Sequence, residues 1–565
     1  MRSWDWAVLA LSLAGIVAYG LYKGRGSDTT EKYLLAGKTM PWYAMALSIM
    51  ATQASAITFI STTGQAYVDG MRFVQFYFGL PVAMVILSAT AVPIFHRAKV
   101  YTAYEYLEKR FDAKTRALVS LIFLIQRGLG VGVALSAPAI VLTVILGVPS
   151  SVTTVIMGTL VIVYTVMGGI KAVTWTDVQQ MAIIFMGMIA ALITAVALLP
   201  ANVTLGDAVT LAGAAGKLNA VTFNFDWNDR YNLWSGLFGG AFLALAYFGT
   251  DQSQVQRYLT GKSITHSRLS LLFTAAVKVP MQFLILFTGA MVFVFYIYQR
   301  PPLLFNHVEL ERVAAAAPAA LGDIEARYSA AFDARRAAAS RMIGARHAGD
   351  AARAETAAAE YRTAQRALDA ARAEGAALAG ATGGKDFNDT NHIFLTFVTR
   401  YMPAGLVGLV FAAIFAAAMS TASAEINSLA TVSVIDLYRR HISPNATDRH
   451  YLWASRVFTG VWGLYAMWFA GYGASLGSLI EAVNMVGSLF YGGMLGVFVL
   501  AFFFPRVGGT AAFCGVLAGE AAIFYAHLAT KISFLWYNVL GCAVVIAVAL
   551  ALSAVRPRAE ERQPQ

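Results

Sequence analysis

The feature that most limits how this chain can fold is a series of apolar runs, each about 18 residues or longer, that recurs from one end of the sequence to the other. A run of that length crosses a hydrocarbon core of roughly 30 Å as a helix. In lipid only helices and closed barrels leave no peptide group unpaired. About thirteen spans can be drawn on the length criterion: residues 5–23, 42–68, 72–95, 115–147, 151–168, 172–199, 232–254, 266–298, 404–438, 450–471, 477–504, 508–528 and 533–554. A hydrophobic share of 58%, a charged share of 13% and a mean hydropathy of +0.61 place the chain outside the range of water-soluble domains. The expected fold is an all-α polytopic membrane protein. The first run lacks a basic leader and a small-residue cleavage site, so it reads as a retained helix.

Lys and Arg collect after alternate spans. Lys23, Arg25, Lys32 and Lys38 follow the first, Arg97, Lys99, Lys109, Arg110 and Lys114 the third, Arg257, Lys262 and Arg268 the seventh, and Arg439 and Arg440 the ninth. Short basic loops stay on the cytoplasmic side, which puts the N-terminus outside and the Arg556–Arg562 tail inside. The formal charge of +11 is then a matter of topology, and no nucleic-acid partner is expected. Cys514 and Cys542 each fall inside an apolar span and suggest neither a disulfide framework nor a metal site.

Three regions follow: spans one to eight over 1–305, an insert over 306–390, and spans nine to thirteen with a short tail over 391–565. The insert is rich in Ala, Arg and Glu. Ile324, Tyr328 and Phe332 recur at helical spacing, Tyr361 and Leu368 lie seven apart, and His347-Ala-Gly-Asp350 reads as a turn with Asp350 capping a second helix. An extracytoplasmic α-hairpin is expected, either as a tolerated insertion or as a lid or docking surface. Residues 385–403 read as a short interfacial helix.

Polar groups inside lipid either pair with one another or line a route for a solute. In the second span, Ala51-Thr-Gln-Ala-Ser-Ala56 and Thr58 interrupt an apolar helix. Unwound backbone there would offer carbonyls to a hard cation, and small-residue packing is the competing reading. In the ninth span, Ser420, Thr421 and Ser423 supply neutral oxygens, suited to a hard ion and equally to hydrogen bonds between helices. Arg127, Asp177, Asp251 and Lys278 also fall within or at the ends of spans. Arg127, about 18 Å into its helix, either holds a substrate carboxylate or pairs with a structural acid.

The stretches Tyr164-Thr-Val-Met-Gly168-Gly169-Ile-Lys-Ala-Val-Thr-Trp175-Thr176-Asp177-Val-Gln-Gln180 and Asp251-Gln252-Ser-Gln-Val-Gln256-Arg257-Tyr258 resemble the solute:sodium symporter family, and so do Tyr104-Glu-Tyr-Leu-Glu-Lys-Arg-Phe111 and Tyr33-Leu-Leu-Ala-Gly37-Lys. The resemblance implies a LeuT-like pair of inverted five-helix repeats, the first over about 42–199, with one extra helix before them and two after. It implies sodium as coupling ion, held by backbone oxygens near Ala51, Ala54 and Ala417 and by the hydroxyls of Ser420 and Thr421. A second sodium, seen in some relatives, would use Asp177, Ser420 and Ser423 with a hydroxyl at 424, where this chain has Ala424. By position, Gln53, Thr58, Tyr77, Asp251, Lys278 and Asn484 would face the substrate. Thr58 and Tyr77 depart from the sugar-carrying branch, and Arg127 with Lys278 favours an organic anion such as a monocarboxylate. A neutral sugar, polyol or amino acid is the alternative.

The implied location is the plasma membrane, a bacterial inner membrane, with the lipid bilayer, sodium and a small solute as partners. No phosphate-binding GxxxxGK[ST] loop is present. No nucleophile–base or HExxH constellation points to an enzyme, His96, His266 and His441 being scattered. A transporter-derived sensor would call for an output domain, whereas the sequence stops about ten residues after the last span.

Overall fold

The computed structural model describes residues 2–146, 150–383, 387–473 and 479–555, and the Arg556–Arg562 tail lies outside it. Every drawn span is mainly helical over its described residues, with breaks inside some of them. The helices that matter below are α1 (Ser3–Lys23), α2 (Trp42–Gln53), α3 (Ala56–Asp69), α4 (Ala113–Leu146), α5 (Ser150–Ala197), α6 (Leu205–Ala214), α7 (Gly240–Gly249), α8 (Gln252–Leu259), α9 (Ile264–Tyr298), α10 (Pro318–His347), α11 (Ala351–Gly383) and α12 (Leu406–Val432). Asp448–Gly473, Leu479–Phe503, Gly509–Ala529 and Leu535–Val555 complete the bundle.

Among the described residues, nine helices are long and apolar enough to cross a membrane unaided. The shortfall of four against the drawn runs has local causes. α2 holds 12 residues because its span is broken after Gln53, and α3 counts together with the run drawn over 72–95 as one stretch, Ala56–Ala98. α7 is short because it ends where Thr250 and Asp251 leave helical geometry before α8. α5 counts once although it contains two spans, and Asp448–Gly473, with its more polar composition, is not among the nine. Each set of five consecutive spans, from residue 42 and again from residue 232, thus opens with an interrupted helix.

α5 is divided at Gly169, whose φ of 57° and ψ of −154° lie outside helical space. A Cβ there would stand 2.4 Å from the Tyr33 carbonyl oxygen and 2.8 Å from the Tyr33 ring. The Tyr33 hydroxyl, fully buried, donates to the Thr165 carbonyl at 3.2 Å and lies 3.3 Å from Thr459 Oγ1. Only glycine allows both the turn and this contact. At the far end of α1, the buried Asp5 carboxylate accepts from the N–H groups of Gly405 (2.6 Å) and Gly408 (3.3 Å). The first helix thereby caps the N-terminus of α12.

Residues 307–383 form a short helix, His307–Ala316, and then the antiparallel pair α10 and α11. Gly349 takes φ 73° at the turn, and Asp350 Oδ1 accepts from the Arg353 N–H at 3.0 Å. Ile324, Tyr328, Phe332, Tyr361 and Leu368 are all buried. The pair is fastened along its length: Arg372 donates to Asp389 (2.7 Å) and the Leu303 carbonyl (3.1 Å), fully buried Arg335 donates to Gln365 (3.0 Å) and the Tyr296 carbonyl (2.5 Å), and His347 meets Asp207 on α6 at 3.0 Å. The helix that follows runs over Thr390–Tyr401, and residues 384–386 are outside the described set.

Replacing Gly169 with Ala should lower the melting temperature of the detergent-solubilised protein well beyond the effect of Gly26→Ala. Gly26 has a positive φ of 81° but no atom within 4 Å of the added Cβ, so it pays only the left-handed strain of about 1–2 kcal/mol. Equal shifts would show that the Tyr33 contact relaxes freely.

Candidate functional site

The α-helical ladder of α2 ends with the Ala54 N–H bonding to the Met50 carbonyl at 2.8 Å. Ala54 (φ −83°, ψ 65°) and Ser55 (φ −70°, ψ 167°) are unwound, and α3 restarts at Ala56. The last carbonyls of α2 therefore lose their helical partners in the middle of the bundle. The Thr52 carbonyl accepts from Thr421 Oγ1 of α12 at 2.9 Å, and the Gln53 carbonyl accepts from Thr58 Oγ1 at 3.4 Å. No backbone bond to the Ala51 or Ala54 carbonyl is found across the break among the described residues, and the Thr421 hydroxyl also lies 3.2 Å from the Ala417 carbonyl. Neutral oxygens from a broken helix and a facing hydroxyl helix suit a hard monovalent cation, and their chemistry fits sodium.

One turn away, Asp177 of α5 is wholly buried. Its Oδ1 accepts from Ser420 at 2.6 Å, its Oδ2 from Ser48 at 2.5 Å, and Arg257 Nη2 of α8 lies 3.8 Å from Oδ2. Arg257 also reaches Thr52 Oγ1 at 3.3 Å. Arg257 was counted above among cytoplasmic loop charges, and this needs correcting: it is 1% exposed and serves as the counter-charge of Asp177. The Ser423 hydroxyl turns back to the Ser420 carbonyl at 3.0 Å instead of toward Asp177.

Above the break lies a cavity of about 90 Å³. Its walls include Gln53, Ser55 and Thr58 at the break, Tyr77, Gln126 and Arg127, Tyr247, Thr421 and Glu425, and Asn484 with Tyr491. Of the residues expected to face a substrate, Gln53, Thr58, Tyr77, Arg127 and Asn484 line it. Asp251 and Lys278 stand one layer behind. Asp251 accepts from Arg127 Nη2 and from the Tyr491 hydroxyl (3.1 Å), and caps α8 through the Ser253 N–H at 2.9 Å. Lys278 is fully buried, with Nζ 5.7 Å from the centre of the Tyr77 ring and without a hydrogen-bond partner among the described residues.

Arg127 is already matched. Its Nη1 donates to Glu425 Oε1 at 2.7 Å and its Nη2 to Asp251 and to the Tyr491 hydroxyl (2.6 Å), while the guanidinium stands 5.4 Å from the Tyr247 ring centre. Arg127 is thus paired with two acids and at the same time lines the cavity. Glu425, Ser48, Gln126, Tyr247 and Tyr491 were not singled out in the sequence. The usable signal was Glu425, an acid inside the ninth span that required a cation somewhere in the bundle.

Residues 33–301 and 366–519 match the Sodium:solute symporter family. The chain belongs to this family. Among its relatives, sodium-coupled monocarboxylate transporter 1 of Xenopus laevis is 27% identical over 94% of the chain and 72% of its own length. A sodium/glucose cotransporter of Vibrio parahaemolyticus is 26% identical over 96% and 89%, and the sodium-dependent multivitamin transporter of Oryctolagus cuniculus is 26% identical over 92% and 70%. The solved structure of a Na⁺-coupled sialic acid symporter in a substrate-bound outward-open state superposes with a TM-score of 0.78 at 23% identity, covering 99% of this chain and 100% of that one. The fold is therefore the LeuT-like arrangement, and the two interrupted helices are the opening helices of its two repeats. As a sodium:solute symporter the protein is membrane-embedded, a transporter and not an enzyme, and sodium is its coupling ion.

Arg127→Met leaves two carboxylates facing each other without a cation. The variant should lose about 3–5 kcal/mol of stability, the usual cost of removing one member of a buried ion network. Adding Asp251→Asn and Glu425→Gln should restore most of it. Thermal unfolding in detergent reads both steps, and a single variant as stable as the parent would rule out a tight network.

Proposed function

We propose that this symporter imports a small organic monocarboxylate, with at least one sodium ion bound at Ala51, Ala54, Ala417, Ser420 and Thr421. The observation that carries the reading is the placement of Lys278. It is a buried lysine with no acidic partner among the described residues, set behind Tyr77, which lines the cavity. An unpaired ammonium in lipid is costly, and an anionic solute offsets that cost. One sodium entering with one monocarboxylate adds no net charge to the site. Asp177 has its cation in Arg257, and Ala424 brings no oxygen, so a single sodium fits the site better than two.

In this mechanism sodium enters first and binds the freed carbonyls of α2. It holds α2 against α12 through Thr421 and so completes the wall formed by Gln53, Thr58 and Tyr77. The solute then binds, and the two repeats rock to open the other side. The membrane potential adds about 2.3 kcal/mol per charge per 100 mV to any step that moves net charge. The protein is placed in a plasma membrane, a bacterial inner membrane, with the N-terminus and the 306–390 insert outside.

Purified protein in proteoliposomes should accumulate radiolabelled short-chain monocarboxylates when an inward sodium gradient is imposed, and should not when potassium replaces sodium. The double variant Ser420→Ala/Thr421→Ala, still folded, should need at least about tenfold more sodium for half-maximal uptake, since each oxygen contact to a charge contributes about 1.5–3 kcal/mol. Uptake at the same rate in potassium would overturn the ion site.

A further inference from the structure

Glu425 lines the central cavity, and only one of its oxygens is used. Oε1 accepts from Arg127, while Oε2 is buried without any hydrogen-bond partner among the described residues. The triad around it is also short of positive charge, with one guanidinium against the carboxylates of Asp251 and Glu425. A buried acceptor left empty costs about 1–3 kcal/mol, and more if charged. Gln53 and Gln126 line the same cavity and also have unpartnered amide oxygens. Their amides can turn either end to a ligand, whereas a carboxylate can only accept. The cavity thus has two unlike walls: the Tyr77 wall backed by the lone Lys278 ammonium, and the α4–α12 wall ending in the unused Glu425 oxygen.

We infer that Glu425 Oε2 is a substrate subsite that selects for a hydrogen-bond donor, a hydroxyl or ammonium group, on the carbon next to the carboxylate. The inference rests on the small-monocarboxylate reading above and narrows it. The carboxylate lies toward Tyr77 and Lys278, and the donor group completes the Arg127–Glu425–Asp251 network. A solute with hydrogen at that carbon leaves Oε2 empty. A solute with a keto oxygen there sets two acceptors against each other, and sites built to bond a donor reject analogues lacking it far more strongly than sites that merely exclude bulk.

Four three-carbon acids differing only at that carbon test the point: propionate, pyruvate, lactate and alanine, each as competitor in sodium-driven uptake and as ligand in thermal-shift titration of the full-length protein. Lactate and alanine should compete at least about tenfold better than propionate, with pyruvate weakest. In Glu425→Gln, shown to be folded by its melting curve, alanine should lose at least tenfold while propionate changes little. Equal competition by all four acids, or an unchanged order in the folded variant, overturns the subsite. Failure of all four to bind in sodium overturns the small-monocarboxylate reading itself.

Discussion

A helix cannot stop inside a bilayer without consequence, because no water is present to satisfy the peptide groups it releases. The interruption between Gln53 and Ala56 is the constraint around which the rest of the bundle is arranged. Two of the freed carbonyls are taken by hydroxyls, Thr52 by Thr421 and Gln53 by Thr58. The sodium site proposed above draws on the two that remain, on Ala51 and Ala54. The second interruption, at Thr250 and Asp251, is handled differently. There the Asp251 side chain caps the new helix through Ser253 and at the same time meets Arg127. The second break is thus completed by a side chain of its own.

Burying this much charge is tolerable because each group belongs to a network that crosses several helices. Asp177 gathers Ser48 from α2, Ser420 from α12 and Arg257 from α8. Because a carboxylate only accepts, it draws the Ser420 proton toward itself and leaves the hydroxyl lone pairs for other use. Arg257 touches both Asp177 and Thr52, so the state of the α2 break is felt at α8. The helices that carry the proposed ion site, α2 and α12, are also among those that share these polar contacts.

Most of the bundle was legible in the sequence, since runs of apolar residues mark spans directly and Gly169 separates two of them where the drawn gap falls. The turn at Gly349 and Asp350 was legible too, because a left-handed glycine and a capping aspartate are local chemistry. The electrostatic core was not. Arg127 lies 124 residues from Asp251 and 298 from Glu425, and a single sequence holds no register between helices so far apart. Arg257 shows the same limit. In sequence it sits where a basic loop belongs, and only the return of α8 into the bundle reveals it as buried.

The paired helices α10 and α11 fall largely in the stretch between residues 301 and 366 that the family match leaves out. They act mechanically as a crossbar. α10 alone is roughly 45 Å long at 1.5 Å per residue, pinned near its middle by Arg335 to the end of α9 and at its tip by His347 to α6. The two pins differ in strength: Arg335 is sealed from solvent, whereas the His347 side chain is about half exposed, at 51%. The insert is thus held to the bundle at two separated points, one closed to water and one open to it.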